Sequence, residues 1–240
     1  MIKIAHLYYD LMNLYGDNGN IKILKKVLEN QGIKTSIEFL SVDDKFDFND
    51  FDIIYIGPGT YNNEKIVLRE LLKRKHEIKT AFNNNNTFFL ITGNALELFG
   101  NFIKENHKKY EALGLIDFDC EKINDRLVSE VYAKSNEISD YVIGFKNQDG
   151  IIKTKAQGLF KIIKGYGFNK DNNNEGIFMD NFFGTYLIGP VLVRNPELLI
   201  YFTKKIINKK FKDFKFKDFD LDYEIKAHNE YLKNYFLNTK

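Results

Sequence analysis

The chain of 240 residues lacks most features that mark secreted, membrane-bound or nucleic-acid-binding proteins. It has one cysteine, Cys120, so it cannot form an internal disulfide, which fits a reducing compartment. Its net charge is only +2, from 35 basic and 33 acidic residues, and gives no indication of a nucleic-acid or anionic-membrane partner. No apolar run approaches the ~20 residues that cross a bilayer, and the N-terminus has no secretion signal. We therefore expect a cytoplasmic protein without membrane insertion.

The histidines are also few, and their spacing matches no metal site. His76 and His107 lie among lysines and other polar residues, so we expect both to be exposed. His6 falls in the first apolar run and is predicted to be a hydrogen-bonded structural residue rather than a base. We expect neither a metal nor a cofactor.

The first hundred residues alternate short apolar runs with amphipathic segments. The predicted strands are Ile2–Leu7, Lys34–Phe39, Phe51–Ile56 and Thr87–Ile91, and the predicted helices span about 20–31 and 63–82. Strands that alternate with helices of this length predict βαβ units and a mostly parallel sheet. An active crevice is then expected at the carboxyl ends of the strands.

From Arg126 onward the pattern changes to short strands separated by turns. We expect them to extend the same sheet in antiparallel or mixed fashion, at Leu127–Tyr132, Tyr141–Phe145, Leu159–Lys164, Gly176–Met179 and Phe182–Leu187. Helices are predicted after Pro196 and over Asp222–Phe236. The Phe- and Lys-rich segment 209–220 between them is predicted to be a solvated loop whose phenylalanines hold it to the body. Because no linker is visible, we expect a single domain over residues 1–240.

The segment Thr87–Gly100, TFFLITGNALELFG, is typical of a strand–turn–helix corner. A buried strand followed at once by a glycine and helix formers is the arrangement that α/β enzymes use to display a nucleophile. Here the corner holds Gly93 and Asn94, two residue types that tolerate left-handed backbone geometry. We therefore predict a positive φ at Gly93.

Four segments in order along the chain resemble the cobyric-acid-synthase-like (CobB/CobQ-like) class I glutamine amidotransferases. They are HLYYDLMNLYGDNGN, GPGTYNNEK, ITGNALELFG and GTYLIGPVLVRNPEL. The branch that they resemble most is the small glutaminase subunit of lipid II isoglutaminyl synthase, which supplies ammonia to a Mur-ligase-like partner. The resemblance implies a three-layer α/β fold, mostly parallel with an antiparallel extension.

The same resemblance shows what the site lacks. The family's nucleophilic cysteine corresponds to Gly93, and its histidine corresponds to Ile188. Since neither residue can attack an amide or accept a proton, no catalytic residue is predicted. We expect no glutamine hydrolysis by the isolated chain, and Ile188 is expected to face Gly93.

A ligand-binding wall is predicted from Gly57, Gly59, Asn94 and Arg126. The glycine loop is where the family forms its oxyanion hole, although Pro58 removes one N–H donor. Arg126 matches a family arginine near the glutamine entrance. It either binds a carboxylate or forms a surface ion pair, and the sequence leaves both open.

The remaining polar candidates are given structural roles. Cys120 is predicted to be a buried, inert thiol away from the corner, and Thr92 to be a packing residue without an associated base. Asp17 with Asn18 is interpreted as a turn or helix cap. Glu97 replaces the motif's glutamine and is expected to add negative charge at that position.

Three functions remain open. The first is a catalytically degenerate amidotransferase-like subunit that positions a Mur-ligase-like partner in peptidoglycan-precursor amidation. The second is a stand-alone binder of a small amino-acid-like ligand in the vestigial pocket. The third is an enzyme that uses the same crevice for different chemistry.

Overall fold

The computed structural model describes residues 1–155 and 157–237. In chain order, the strands in these residues are β1 (Ile2–Leu7), β2 (Thr35–Leu40), β3 (Ile53–Ile56), β4 (Phe88–Thr92), β5 (Phe102–Glu105), β6 (Lys108–Glu111), β7 (Asp119–Lys134), β8 (Val142–Lys153), β9 (Phe160–Lys164), β10 (Asn174–Glu175), β11 (Ile177–Met179) and β12 (Phe182–Thr185). The α-helices are α1 (Gly19–Asn30), α2 (Tyr61–Lys73), α3 (Lys75–Asn83), α4 (Val191–Arg194), α5 (Pro196–Lys210) and α6 (Asp222–Leu232).

Six strands form the first sheet, in the spatial order β11-β12-β4-β3-β1-β2. Neighbouring strands are parallel except for β11 and β12. Side chains alternate between the two faces of the sheet: Phe89 and Ile91 of β4 join the core under α2 and α3, while Phe88 and Leu90 join the core under α1 and α5. Helices therefore cover both faces, and the predicted three-layer, mostly parallel α/β class is confirmed.

The prediction that the later strands all extend this sheet is wrong. Only β11 and β12 join it, and the others form a second sheet in the order β10-β9-β7-β5-β6, with β8 also paired to β7. The long β7–β8 hairpin supplies its own pairing partners, so it does not need the edge of the first sheet. One isolated antiparallel bridge, between Phe145 of β8 and Ile188, connects the second sheet to the chain just after β12. Ile188 thus lies where the two sheets meet.

Two helical predictions need adjustment. The segment expected to be one helix over 63–82 is two, because the backbone leaves helical geometry at Arg74 between α2 and α3. The corner after β4 continues as a 3-10 helix, Gly93–Phe99, and not as an α-helix. Both changes leave the corner at the carboxyl end of β4, where it was predicted.

The segment 209–220 begins in the last residues of α5 and continues from residue 211 as a loop without helix or strand, whose four phenylalanines are partly buried against the core under α1 and α5. This confirms the predicted solvated loop held by aromatic side chains. None of the helices in the described part of the chain is both long and apolar enough to cross a membrane. The assignment of residues 1–240 to a single domain stays a prediction.

Candidate functional site

A polar crevice of about 270 Å³ opens at the carboxyl ends of β3 and β4. The two loops that follow these strands line it together with side chains from the β7–β8 hairpin. Its walls include Gly59, Gly93, Asn94, Arg126, Asp149 and Ile188. The parallel strands β3 and β4 bring Gly59, Gly93 and Asn94 to one edge, because their carboxyl ends lie side by side, and the β7–β8 hairpin adds Arg126 and Asp149.

Gly93 adopts the left-handed geometry that the sequence predicts, with φ at +63°. The space around it is closed: a Cβ atom built on Gly93 would lie 2.6 Å from Pro58 Cβ and 3.2 Å from Ile188 Cγ2. Ile188 therefore faces Gly93, as expected. The corner has the backbone of a nucleophile elbow but no room for a side chain unless Pro58 moves.

In the glycine loop, Gly57–Gly59, an N–H donor is already bonded to another group of the protein. The Gly59 N–H donates to Asn94 Oδ1 at 2.9 Å, so its donor is already used. Gly57 does not line the crevice, because it packs behind it against Tyr55 and the Met12 carbonyl. A ligand-binding role for Gly59 would require displacement of the Asn94 side chain.

Arg126 lies at the mouth of the crevice with about half of its side chain exposed. Its guanidinium donates to Asp149 Oδ2 at 2.9 Å, to Asn147 Oδ1 at 2.6 Å and to the Asn147 carbonyl at 2.8 Å. The ion pair that the sequence allowed is therefore present. The same side chain also lines the crevice, so the two interpretations of Arg126 are compatible.

Asp17 lies in a turn at the end of the 3-10 helix Leu14–Gly16, as the sequence suggested, but its side chain has a wider role than that of a turn residue. Its side chain is fully buried, and it accepts hydrogen bonds from Thr92 Oγ1, from the Tyr55 hydroxyl at 3.0 Å, from Asn20 Nδ2 at 3.1 Å and from the Gly189 N–H at 3.0 Å. It thus ties the first loop to the residues next to both Gly93 and Ile188. Burial raises its pKa to about 6. The prediction that Thr92 has no associated base is also wrong, because the Asp17 carboxylate accepts a hydrogen bond from its hydroxyl group.

Behind the crevice lies a buried polar cluster of Glu64, Glu97 and Lys122 that the sequence did not reveal, and the partly exposed Asp149 connects it to the crevice wall. Lys122 Nζ lies 2.9 Å from Glu64 Oε2, 2.8 Å from Glu97 Oε2 and 3.0 Å from Asp149 Oδ1. Burial disfavours the charge on Glu64 and the neighbouring Glu97 adds repulsion, so the pKa of Glu64 rises to about 8. Glu97 does place an acidic group at the motif's glutamine position, but Lys122 pairs with it and it does not line the crevice.

Cys120 is buried, as predicted, but it is not away from the corner. Its Sγ donates to Oε2 of Glu97, four residues after Gly93, at 3.0 Å. Burial first, and the Glu97 carboxylate second, hold the pKa of the thiol well above its usual range. A thiol in this state forms little thiolate and is a poor nucleophile.

The histidines lie where the sequence predicts. His76 and His107 are exposed. His6 is fully buried, with its ring 5.0 Å from that of Tyr55. Burial lowers its pKa to about 4, although a hydrogen bond with the Met12 backbone acts in the opposite direction, so His6 is a neutral structural residue.

Comparison with known proteins identifies the family. Residues 3–196 match the model of the CobB/CobQ-like glutamine amidotransferase domain. The chain belongs to this family. The resemblance drawn from the four sequence segments is thereby confirmed.

The chain is similar to two proteins that are both named lipid II isoglutaminyl synthase (glutamine-hydrolyzing) subunit GatD. The one from Streptococcus pneumoniae is 30% identical over 213 residues, which cover 88% of this chain and 82% of the relative. The one from Staphylococcus aureus is 30% identical over 226 residues, which cover 94% of this chain and 93% of the relative.

Solved structures agree on the fold of the family. A glutamine amidotransferase from Thermotoga maritima aligns with a TM-score of 0.50 at 10% identity, covering 95% of this chain and 92% of that chain. The glutaminase domain of Trypanosoma brucei CTPS, with bound acivicin, aligns with a TM-score of 0.53 at 11% identity, covering 90% of this chain and 97% of that chain. At these identities the similarity concerns the fold alone.

Proposed function

We propose that this chain is a catalytically degenerate, GatD-like subunit of a lipid II amidating complex. In this proposal it binds and positions a Mur-ligase-like partner in the cytoplasm, and the partner carries out the chemistry on the peptidoglycan precursor. The two GatD relatives, each aligned over most of its length, support the choice of complex.

The contact between Pro58 and Gly93 carries the proposal that glutaminase activity is absent. A Cβ at position 93 would approach Pro58 Cβ to 2.6 Å, closer than Cβ atoms come in folded proteins. Pro58 also lacks an N–H, and the next donor, on Gly59, is bonded to Asn94. Nucleophile, base and oxyanion donors are thus all compromised at one corner, and loss of the nucleophile alone removes several orders of magnitude of rate.

The activity test is glutamate release from glutamine by the purified chain, alone and with its partner. We expect no release above a buffer control, and no covalent labelling by a glutamine-analogue electrophile. An active amidotransferase of the same family serves as the positive control. Saturable activity that co-purifies with the chain and is weakened by Arg126→Ala would overturn the proposal.

The partner test is association with a Mur-ligase-like protein from the same source, measured by analytical ultracentrifugation. A stable interface is expected to bury roughly 1,200–2,000 Å² in total. Tyr15, whose side chain is about half exposed at the crevice, lies in a loop expected to contact the partner. Tyr15→Ser should weaken association, whereas Tyr223→Ser, at a more exposed tyrosine of α6, should not. Absence of a complex at micromolar concentration contradicts this part of the proposal.

The alternative, a stand-alone binder of an amino-acid-like ligand, receives less support from the crevice. Three donors of Arg126 are already bonded to Asn147 and Asp149. A ligand carboxylate would therefore share the guanidinium with Asp149, which already neutralises its charge, and this reduces the net gain from binding.

A further inference from the structure

The carboxamide of Asn94 is held between two polar groups of opposite kind. Its Oδ1 accepts a hydrogen bond from the Gly59 N–H, and its Nδ2 donates to Glu64 Oε2, both at 2.9 Å. Because a backbone N–H can only donate, the oxygen of the amide must face Gly59 and its N–H₂ group must face the carboxyl group. The two partners therefore fix the orientation of the Asn94 side chain.

These two partners are also held by groups other than Asn94. Gly59 follows Pro58, whose carbonyl accepts from the Leu14 N–H at 2.9 Å and so ties the glycine loop to the first loop. Glu64 lies in the first turn of α2, and its Oε2 also accepts from Lys122 Nζ at 2.9 Å. A donor and an acceptor are thus positioned at the separation that one primary amide spans.

The space that this carboxamide fills opens to the crevice. Asn94 is partly exposed and forms part of the crevice wall. Glu64 does not line the crevice, since the Asn94 side chain lies between the crevice and Glu64 Oε2. Removal of the Asn94 side chain would therefore uncover this oxygen. A ligand of the same shape would take the positions of the Asn94 atoms, which already contact both partners.

We propose that Asn94 is an internal ligand of a primary-amide site formed by the Gly59 N–H and Glu64 Oε2. A primary amide offers an acceptor and a donor on neighbouring atoms, in the order that this site requires. An ionised carboxylate would place an oxygen against the Glu64 carboxylate, and an amine would leave the Gly59 N–H without an acceptor. The site therefore selects primary amides, and Asn94 fills it in the native chain.

The consequence is that the crevice is closed to external amides. A tethered group competes at a high effective concentration, so a free amide must displace Asn94 before it can bind. This inference deepens the proposed function, and it rests on that function only in taking the crevice as a vestigial amide site. It identifies an autoinhibitory contact within the crevice, in addition to the missing nucleophile and base.

The test is chemical rescue of Asn94→Gly, which removes the whole side chain and leaves a gap with the shape of acetamide. The measurements are made at about pH 9, where Glu64, with its pKa of about 8, is mostly ionised. Acetamide at about five times its Kd should raise the Tm of the variant by about 2–4 °C. Acetate should not raise it, and acetamide should not raise the Tm of the native chain, because Asn94 already fills the site.

The backbone amide resonance of Gly59 reports directly on the site. Its chemical shift in a ¹⁵N-labelled protein should change in Asn94→Gly, because the hydrogen bond to Asn94 Oδ1 is lost. Added acetamide should return the resonance toward its native position. The Kd from this titration should be at least about tenfold lower for acetamide than for acetate, which leaves the Glu64 oxygen without its donor.

Two further variants complete the design. Asn101→Gly is the matched control, because the Asn101 side chain donates to Asp117 Oδ1 in an exposed position away from the crevice. Acetamide should affect its Tm no more than that of the native chain. Circular dichroism checks that Asn94→Gly is folded. If it is not, Asn94→Ala is used with formamide, which matches the three heavy atoms that this variant lacks.

Three results would overturn the proposal. The first is a folded variant in which the amide neither raises the Tm nor returns the Gly59 resonance. The second is an equal response to acetamide and acetate. The third is the same rise in Tm in the native chain or in Asn101→Gly. None of these experiments measures glutaminase activity or association with a Mur-ligase-like partner, so the amide site and the proposed function can fail separately.

Discussion

Lys146 of β8 and Glu175 of β10 form an ion pair in which neither side chain has any exposure. Lys146 Nζ also donates to the Gly167 carbonyl at 2.6 Å. The other oxygen of Glu175 accepts from Thr185 Oγ1 and from the Tyr186 N–H, each at 2.9 Å. The pair therefore links the second sheet to the end of β12 in the first sheet, next to the crevice.

Removing one partner of this pair should destabilise the protein strongly. Lys146→Met leaves the Glu175 carboxylate buried without its cation, which typically costs about 3–5 kcal/mol. We expect this loss in the free energy of unfolding measured by urea titration. The matched control is Lys153→Ala on the same strand, whose ion pair with Glu121 is exposed and should contribute less than about 1 kcal/mol. Equal effects of the two substitutions would contradict this account.

Stability should fall as the pH rises from about 4 to 8, because the two buried carboxyl groups that titrate in that range together outweigh His6, whose lowered pKa acts in the opposite direction between about pH 4 and 6.5. The pKa of Asp17 rises from its ordinary value of 3.8 to about 6, so the folded state holds this proton more tightly than the unfolded chain does. The penalty for ionising Asp17 is absent below about pH 4 and complete above about pH 6. It amounts to on the order of 3 kcal/mol, since tenfold in proton affinity corresponds to about 1.4 kcal/mol. Glu64 acts in the same direction over a wider range and carries the decline to about pH 8, because its pKa rises from 4.5 to about 8.

Melting temperatures across this pH range test the assignment to these two groups. Asp17→Asn should make the curve less steep between about pH 4 and 6, and Glu64→Gln should make it less steep between about pH 4.5 and 8. The slopes are compared rather than the absolute values, because the amide introduced by Asp17→Asn cannot accept all four hydrogen bonds of the carboxylate. A wild-type curve that rises over this range contradicts the prediction.

The sequence predicts the corner well because its determinants are contiguous. A strand, a glycine and a helical segment follow one another in Thr87–Gly100, so the positive φ of Gly93 follows from local rules. Ile188 is placed opposite it by the order of the family's segments. The three-layer fold class can also be predicted from the sequence, since the side chains of β4 alternate between two faces and each face packs against a helical layer.

The sequence does not predict the polar cluster, because its contacts are long-range. Lys122 and Glu64 are 58 positions apart, and Thr92 and Asp17 are 75 positions apart. No local periodicity distinguishes a buried carboxylate from a solvated one before the chain is folded. For this reason the sequence places Asp17 in a turn but does not reveal that its side chain is buried against Thr92 and Tyr55.

Cys120 should not react with thiol reagents in the folded protein. Its side chain is fully buried, and burial together with Glu97 holds its pKa far above neutral pH. Titration with a disulfide reagent such as dithionitrobenzoate should detect no thiol in the native chain and one in denaturant. Rapid native reaction would contradict the buried position, and would also complicate any electrophile-labelling test of the crevice.

A side chain at position 93 should cost more than its positive φ alone explains. Gly93→Ala and Gly114→Ala both place alanine at a glycine with φ of +63°, so both incur a similar left-handed penalty of about 1–2 kcal/mol. The new Cβ at position 114 meets nothing closer than 3.9 Å, whereas at position 93 it would lie 2.6 Å from Pro58 Cβ. Forced overpacking of this kind adds about 1–3 kcal/mol. We expect this difference between the two variants in the free energy of unfolding measured by urea titration.

A double-mutant cycle assigns the extra cost to Pro58. Pro58→Gly removes the Cβ that a side chain at position 93 would meet at 2.6 Å, so in that background the extra cost of Gly93→Ala over Gly114→Ala should shrink to that of the 3.2 Å approaches to the Cα at position 58 and to Ile188 Cγ2. The coupling energy between positions 58 and 93 should then be about 1–3 kcal/mol, as found for residues in direct contact. Additive effects would mean that Pro58 yields easily, and that the corner is still open to a side chain. In that case Gly93→Cys combined with Ile188→His would become a fair test of restored glutaminase activity. With the coupling we expect, that double variant should stay inactive unless Pro58 is also replaced.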